Sequence, residues 1–506
     1  MKRRGYLIDP ADSCLIALED CEAGDLLTCG SESLQLAEAV PSGHKAARRT
    51  IAAGGDVIKY GHVIGHARTE IPEGSWIHTH NLTTGLTGTL EYSWQPAAAG
   101  TAGADETAGA PAGFQGFVRK DGRVGIRNEI WILPMVGCTN GTARRLAAVA
   151  EAEFGPGNSL EGYGGTFAYP HNCGCSELGD DLKKTQLILA GLAKNPNAGG
   201  VLLLGLGCEN NTAESFLPLL GAVDEERVRL LIIQKTEDEY EEGMKILRQL
   251  HELTEQDRRR SVPLSSLVFG LKCGGSDGFS GITANPLCGQ VSDRLIRGGA
   301  AGLLTEVPEM FGAEELLMAR AVDRKVWQDT AELVNGFKSY FLRYGQEVSG
   351  NPSPGNKKGG ITTLEEKSLG CVQKGGHAPV KGVIHYGEQP AAGGGLFLVE
   401  GPGNDMVSVT NLTAAGAVLI LFTTGRGNPC GAPVPTMKIA TNSGLAGHKP
   451  HWIDFNAGIL LEGCGREKAA DELLKKLPEI LEGRAQAKNE QNGFRDISIF
   501  RDGVTL

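Results

Sequence analysis

Apolar runs in this 506-residue chain repeatedly break off at junctions rich in glycine, cysteine, asparagine or threonine. Ile130-Trp-Ile-Leu-Pro-Met-Val ends at Gly137-Cys-Thr-Asn, and Val201-Leu-Leu-Leu-Gly-Leu-Gly ends at Cys208-Glu-Asn-Asn. Leu267-Val-Phe-Gly-Leu-Lys runs into Cys273-Gly-Gly-Ser-Asp-Gly, and Val418-Leu-Ile-Leu-Phe into Thr423-Thr-Gly-Arg-Gly. Helix-like stretches follow, as over residues 142–154. Buried-strand runs alternating with helices predict α/β units with a mostly parallel, Rossmann-like sheet. In such sheets ligands gather at the carboxyl ends of the strands, which is where these junctions fall. Glycine, 72 of 506 residues, is about twice its usual ~7% share. Clustered beside polar residues, it predicts tight loops that bring backbone N–H groups close to a ligand.

The chain divides by composition. Residues 1–94 carry short, partly alternating segments separated by glycine or proline, such as Cys14-Leu-Ile-Ala-Leu and Asp56-Val-Ile-Lys-Tyr, and predict a small β-rich domain. Residues 95–113 are almost all small and predict a flexible linker. An α/β domain is expected over 114–256 and a second, catalytic one over 257–506, with a helix over 467–477 just before Pro478.

With 49 Lys+Arg against 60 Asp+Glu the net charge is −11, which argues against nucleic acid or an anionic membrane as a partner. A small anion needs only a few local cations. No signal-peptide core follows the basic start, and no run nears the ~18 apolar residues of a membrane span. A cytoplasmic protein is expected. Its 12 cysteines are then thiols or metal ligands rather than disulfides.

Cys138, Cys175, Cys208 and Cys273 all sit at glycine- or asparagine-rich junctions. They are either buried thiols or ligands of a metal or cluster assembled from distant segments, where soft thiolates suit iron, iron–sulfur centres or zinc. His78 and His80 in His-Thr-His-Asn would share one face of a strand and could hold a metal together, or form an exposed polar face. His171 and Cys175 make another mixed candidate. Asn351-Pro-Ser-Pro-Gly-Asn-Lys-Lys-Gly-Gly and Thr423-Thr-Gly-Arg-Gly combine glycine, amides or hydroxyls and a cation, which suits a carboxylate or phosphate unless they are only solvated loops. Gly205-Leu-Gly-Cys-Glu is not a dinucleotide fingerprint, and Walker A and GxSxG motifs are absent.

Long irregular runs resemble the altronate/galactarate dehydratase family of sugar-acid lyases. They include Gly43-His-Lys, Asp121-Gly-Arg-Val-Gly-Ile-Arg-Asn, Gly205-Leu-Gly-Cys-Glu, Cys273-Gly-Gly-Ser-Asp-Gly-Phe-Ser-Gly, Thr305-Glu-Val-Pro-Glu-Met, Asn351-Pro-Ser-Pro-Gly-Asn-Lys-Lys and Phe422-Thr-Thr-Gly-Arg-Gly. The first 94 residues resemble its SAF domain. Cys173 falls at a variable place in the family's His-x-x-Gly-Cys pattern. His78-Thr-His-Asn and the ending Phe500-Arg-Asp-Gly-Val-Thr-Leu look like the altronate branch. The resemblance implies dehydration of D-altronate to 2-dehydro-3-deoxy-D-gluconate in hexuronate breakdown. It implies Fe(II), or Mn(II) or another divalent ion, and a small sugar acid as partner; a homo-oligomer is compatible with it. Lys357 and Arg426 are expected to grip the carboxylate with Ser276, Asp277, Asn351, Asn356 and Thr424. His44 or His171 is expected to handle protons, and Cys138, Cys175, Cys208 and Cys273, alternatively His78 and His80, to bind metal. The alternatives are galactarate dehydration, a non-catalytic sugar-acid binding protein and, on weaker grounds, a nicotinamide oxidoreductase.

Overall fold

A computed structural model describes residues 1–94, 109–391 and 393–504. The first 94 residues are β-rich, as expected. Strands Lys2–Tyr6, Cys14–Ala17, Leu26–Cys29, Glu32–Gln35, Lys45–Ala47 and Trp76–Ile77 form a six-stranded sheet. Asp56–Lys59, His62–Ala67 and Leu82–Thr83 form a three-stranded one. Alternation sets the faces: Leu34 and Leu36 are buried while Gln35 between them is exposed. Trp76–Ile77 is the end of its strand, and the chain turns at once, with Asn81 N donating to His78 O at 3.1 Å. His78 and His80 therefore lie in a turn rather than on one strand face, which corrects the expected geometry.

Most of the expected linker, residues 95–108, lies outside the described residues. Past it, strand Gly113–Val118 pairs antiparallel with Arg260–Pro263. The two ends of the middle unit are thus tied together. Between them, a four-stranded parallel sheet runs in the order Thr166–Ala168, Glu129–Pro134, Ala198–Gly205, Val228–Ile232. Successive residues face opposite cores. Ile130, Ile132, Leu202 and Leu204 pack under helices Asn140–Phe154 and Glu239–Glu255. Trp131, Leu133, Val201 and Leu203 join a core shared with the last unit. Near-continuous apolar runs are what a sheet covered on both faces requires.

The last unit is built on a seven-stranded parallel sheet, in the order Val380–Ile384, Gly395–Val399, Ala301–Leu304, Val268–Cys273, Leu419–Thr424, Thr436–Ala440, Phe455–Asn456. Helix Arg466–Leu481 runs through Pro478 instead of stopping before it. Leu473, Leu474, Leu477, Ile480 and Leu481 are all buried, and that packing outweighs the one backbone bond a proline forfeits near a helix end. Among the described residues no helix is long and apolar enough to cross a membrane.

Candidate active site

Where the central strands of the seven-stranded sheet end, the chain buries an unusual number of charges. Lys272 and Cys273 close strand Val268–Cys273, and Glu306 and Glu309 follow strand Ala301–Leu304. Lys367, Cys371 and Lys374 come from helix Leu364–Cys371 and the 3₁₀ turn Val372–Gly375. Asp405, half-buried at the edge of this group, opens helix Asp405–Ala414. Burying so much charge requires each group to be paired. Lys272 Nζ donates to Glu306, to Asp405 Oδ1 at 2.7 Å and to Cys273 O at 2.7 Å. Lys367 Nζ donates to Glu309 Oε1 at 2.7 Å, Asn351 Oδ1 at 3.1 Å and Asn356 Oδ1 at 3.2 Å. Lys374 Nζ lies 2.9 Å from Cys273 Sγ.

With its Oε1 held by Lys367, Glu309 turns Oε2 to two sulfurs, 3.2 Å from Cys273 Sγ and 3.1 Å from Cys371 Sγ. The sulfurs are 3.3 Å apart. Among the described residues this is the group of three or more potential ligands whose atoms lie within 4.8 Å of one another. Two thiols and a carboxylate suit a borderline-soft divalent ion such as Fe(II) or Zn(II). The Cys371 thiol donates to Cys273 and, with Lys374 and Lys272, brings Cys273 down to about 6 despite burial, while Cys371 is pushed up. The pair is therefore one thiol beside one thiolate. Glu309, although buried, is held well below the usual carboxylate range by Lys367, Lys272 and Lys374. Burial beside Cys273 and Glu309 pushes Glu306 up. Glu306 also adopts a left-handed backbone, φ 73° and ψ 60°, a strain of order 1–3 kcal/mol that a fold keeps where a side chain must point one way.

The glycine-rich loops meet beside this centre. Arg426 N donates to Gly275 O at 2.8 Å, and Asn356 Nδ2 donates to Ser276 O at 2.9 Å. Gly355 lies against the Arg426 guanidinium. Asn351, Asn356, Lys357, Thr424 and Arg426 thus belong to one neighbourhood, with Asn351 and Asn356 bonded directly to Lys367. Asp277 has a different task. Its carboxylate accepts from Thr441, Asn442, Ser280 and Phe279 N, so it orders the loop rather than meeting a ligand.

The N-terminal domain forms a wall of this neighbourhood. A Cβ on Gly278 would stand 2.0 Å from Gly43 O, so the two backbones touch as only glycine allows. Lys45 Nζ donates to Glu366 Oε2 at 2.8 Å and Lys59 Nζ to Glu366 Oε1 at 2.7 Å. His44 Nδ1 accepts from Trp76 Nε1 at 3.1 Å, leaving Nε2 to donate to Lys358 O at 3.3 Å. Burial, then Lys45, lowers its pKa, so it is a neutral ring with both nitrogens engaged. His78 stacks on Trp76 with centroids 5.0 Å apart, and His80 lies 5.4 Å away on the same ring.

Some expected residues lie elsewhere. His171 is in the middle unit, with Nε2 at 2.6 Å from Pro134 O and Nδ1 accepting from Cys173 N. It braces its own loop and has no nitrogen left to move a proton. Cys138, Cys175 and Cys208 do not converge with Cys273: they are exposed, on loops of the four-stranded sheet, whereas Cys273 is buried in the last unit. The reading of the sequence missed Cys371, Glu306, Glu309 and the lysines. Their signal was present: Lys367, Cys371 and Lys374 are spaced i, i+4, i+7 on one helical face, and Glu306 and Glu309 directly follow an apolar strand.

Family models match along the chain: the altronate/galactarate dehydratase SAF domain over residues 4–85, the second domain of D-galactarate dehydratase/altronate hydrolase over 116–255, and the C-terminal D-galactarate/altronate dehydratase domain over 264–505. The chain is 46% identical over 499 residues to an altronate dehydratase of Escherichia coli (strain K12), covering 99% of each. It is 45% identical over 500 residues to an altronate dehydratase of Bacillus subtilis (strain 168), again covering 99% of each. To a galactarate dehydratase (L-threo-forming) of Escherichia coli it is 33% identical over 495 residues, 93% of this chain and 91% of that one.

Proposed function

Since the chain belongs to the altronate/galactarate dehydratase family and is a hydro-lyase, we propose that it removes water from D-altronate to give 2-dehydro-3-deoxy-D-gluconate, in hexuronate breakdown in the cytoplasm. The observation that carries this reading is the buried centre of Cys273, Glu309 and Cys371 beside the glycine-rich loops that bear Lys357 and Arg426. The higher identity to the altronate dehydratases than to the galactarate enzyme supports the choice of substrate.

Loss of a proton α to a carboxylate builds negative charge on the substrate, which fixed cations must balance. Lys357, Arg426 and the loop amides grip the carboxylate. Glu306, held by Lys272 and fixed by its strained backbone, takes the C2 proton, a part the sequence had offered to His44 or His171. Lys272 and Lys374 stand where charge accumulates. Cys273, Cys371 and Glu309 would hold a divalent ion, Fe(II) by the softness of the donors, which supplies Lewis acidity to help the C3 hydroxyl leave. The enol left behind becomes the ketone by protonation at C3.

The test offers reduced protein supplied with Fe(II) both D-altronate and galactarate in parallel. D-Altronate should be converted at least about tenfold faster, a difference of about 1.4 kcal/mol in transition-state binding. Equal rates, or conversion of galactarate alone, would overturn the substrate assignment.

A further inference from the structure

The chain has 12 cysteines, and those exposed to solvent are Cys138, Cys175 and Cys208. All three sit on loops at the same end of the four-stranded parallel sheet. Cys138 follows strand Glu129–Pro134, Cys175 follows Thr166–Ala168 and Cys208 follows Ala198–Gly205, and these strands are neighbours. The loops are fastened to one another. Gly137 N donates to Cys173 O at 2.9 Å, and Asn211 N to Gly174 O at 3.1 Å. Asn211 Nδ2 donates to Met135 O at 2.9 Å, and Ser176 N to Asn210 Oδ1 at 2.8 Å. The three thiols therefore hang from one cross-braced rim. Ser176, next to Cys175, has φ 57°, a left-handed backbone that a serine adopts only when its surroundings impose it.

The other nine cysteines are all less open to solvent, six of them buried and three intermediate, so these three loops present the thiols that an incoming metal or cluster can reach. The spacing tells what kind of ligand fits. The ligand atoms at Cys273, Glu309 and Cys371 lie within 4.8 Å of one another, as a single ion needs, whereas the three rim sulfurs do not all lie that close together. A cubane cluster carries its irons at the corners and spreads its thiolates more widely than one ion does. Asn172, on the same loop as Cys175, lines a cleft of about 540 Å³ with Pro402, Asn404 and Arg501 of the last unit.

We propose that Cys138, Cys175 and Cys208 hold a four-iron, four-sulfur cluster through three thiolates, leaving one iron without a protein sulfur. Uptake is ligand exchange. Each thiol passes its proton to a departing thiolate of the incoming cluster, three Fe–S(thiolate) bonds form as three break, and no electron moves. The assignment stands whether or not the dehydratase reading does, because its readout is the cluster and not turnover.

In the test, reduced full-length protein is incubated anaerobically with a synthetic four-iron, four-sulfur thiolate cluster and desalted. The wild-type chain should retain about four iron and about four sulfide, with the visible charge-transfer band of such a cluster. Cys138→Ser, Cys175→Ser and Cys208→Ser should each lose the band and the sulfide, and Cys464→Ser should keep both. The exposed positions should leave circular dichroism and melting curves unchanged, and Ala replacements at the same positions should repeat the loss. Retention of iron without sulfide, preferential binding of zinc, or full cluster content in the three single variants would each overturn the proposal.

Discussion

Replacing Glu366 by glutamine should loosen the N-terminal domain from the active-site unit. Glu366 is a buried carboxylate that accepts from Lys45 at 2.8 and 3.0 Å, from Lys59 at 2.7 Å and from Thr362 N at 2.8 Å. Both lysines belong to the N-terminal domain and are fully buried. In the variant Lys45 keeps Gly360 O and Thr362 Oγ1, each at 2.8 Å, whereas Lys59 keeps chiefly the face of Tyr60, 4.8 Å away. Lys59 is then a buried cation facing a neutral amide. Breaking one buried pair costs about 3–5 kcal/mol, against roughly 0–1 kcal/mol for a surface pair. Calorimetry of both proteins reads the difference as a lower melting temperature for the N-terminal transition. Adding Lys59→Met to Glu366→Gln should recover part of the loss, through a coupling of about 0.5–3 kcal/mol. The pH dependence has a definite sign. Burial raises Glu366, but Lys45 and Lys59 hold it down at about 2. A carboxylate depressed on folding contributes stability that is complete above its unfolded value, about 4.3, and is lost as pH falls through about 2. Glu366→Gln should lack this acid limb. A variant within about 1 kcal/mol of wild type would refute the claim that this trio joins the domains.

Arg426→Ala and Lys357→Ala should each raise KM for D-altronate about 10- to 100-fold with a smaller change in kcat, since one charge-assisted contact is worth about 1.5–3 kcal/mol; steady-state kinetics decides, and an unchanged KM removes that residue from the carboxylate grip. Gly278→Ala should abolish turnover by forcing Gly43 away, and a fully active variant would contradict the contact. His385 is raised by its hydrogen bond to Glu400. Its small contribution to stability should be complete below its unfolded value of about 6.5 and fade as pH rises through the higher folded value, and His385→Gln should flatten that limb in melts taken across the range. Glu309→Gln should lower Fe(II) retention at the buried centre, read by metal analysis in a Cys138→Ser background.

The parallel sheets were legible because strands covered on both faces must be apolar throughout, as at Ile130–Leu133 and Leu419–Phe422. The glycine-rich loops were legible as tight turns because few residue types make them. Contacts between segments far apart in the chain were not. Cys371 meets Cys273 across 98 residues, and Lys45 meets Glu366 across 321, and no local pattern encodes either pairing. His78 and His80 read as strand neighbours because their i, i+2 spacing is the same in a turn. Cys138, Cys175 and Cys208 lie on loops that follow neighbouring strands of one sheet, but Cys273 shares that local pattern on a different sheet, and only the fold separates them.

The most direct measurement is proton NMR of the reaction of Fe(II)-supplied protein with D-altronate in deuterium oxide. Removal of the C2 proton by a side chain, followed by protonation of the enol from solvent, should give 2-dehydro-3-deoxy-D-gluconate with one deuterium at C3, and Glu306→Gln should give none of it. Product without deuterium at C3 would mean that hydrogen migrates directly from C2, and unchanged D-altronate would mean that this centre does not dehydrate it; either result contradicts the account.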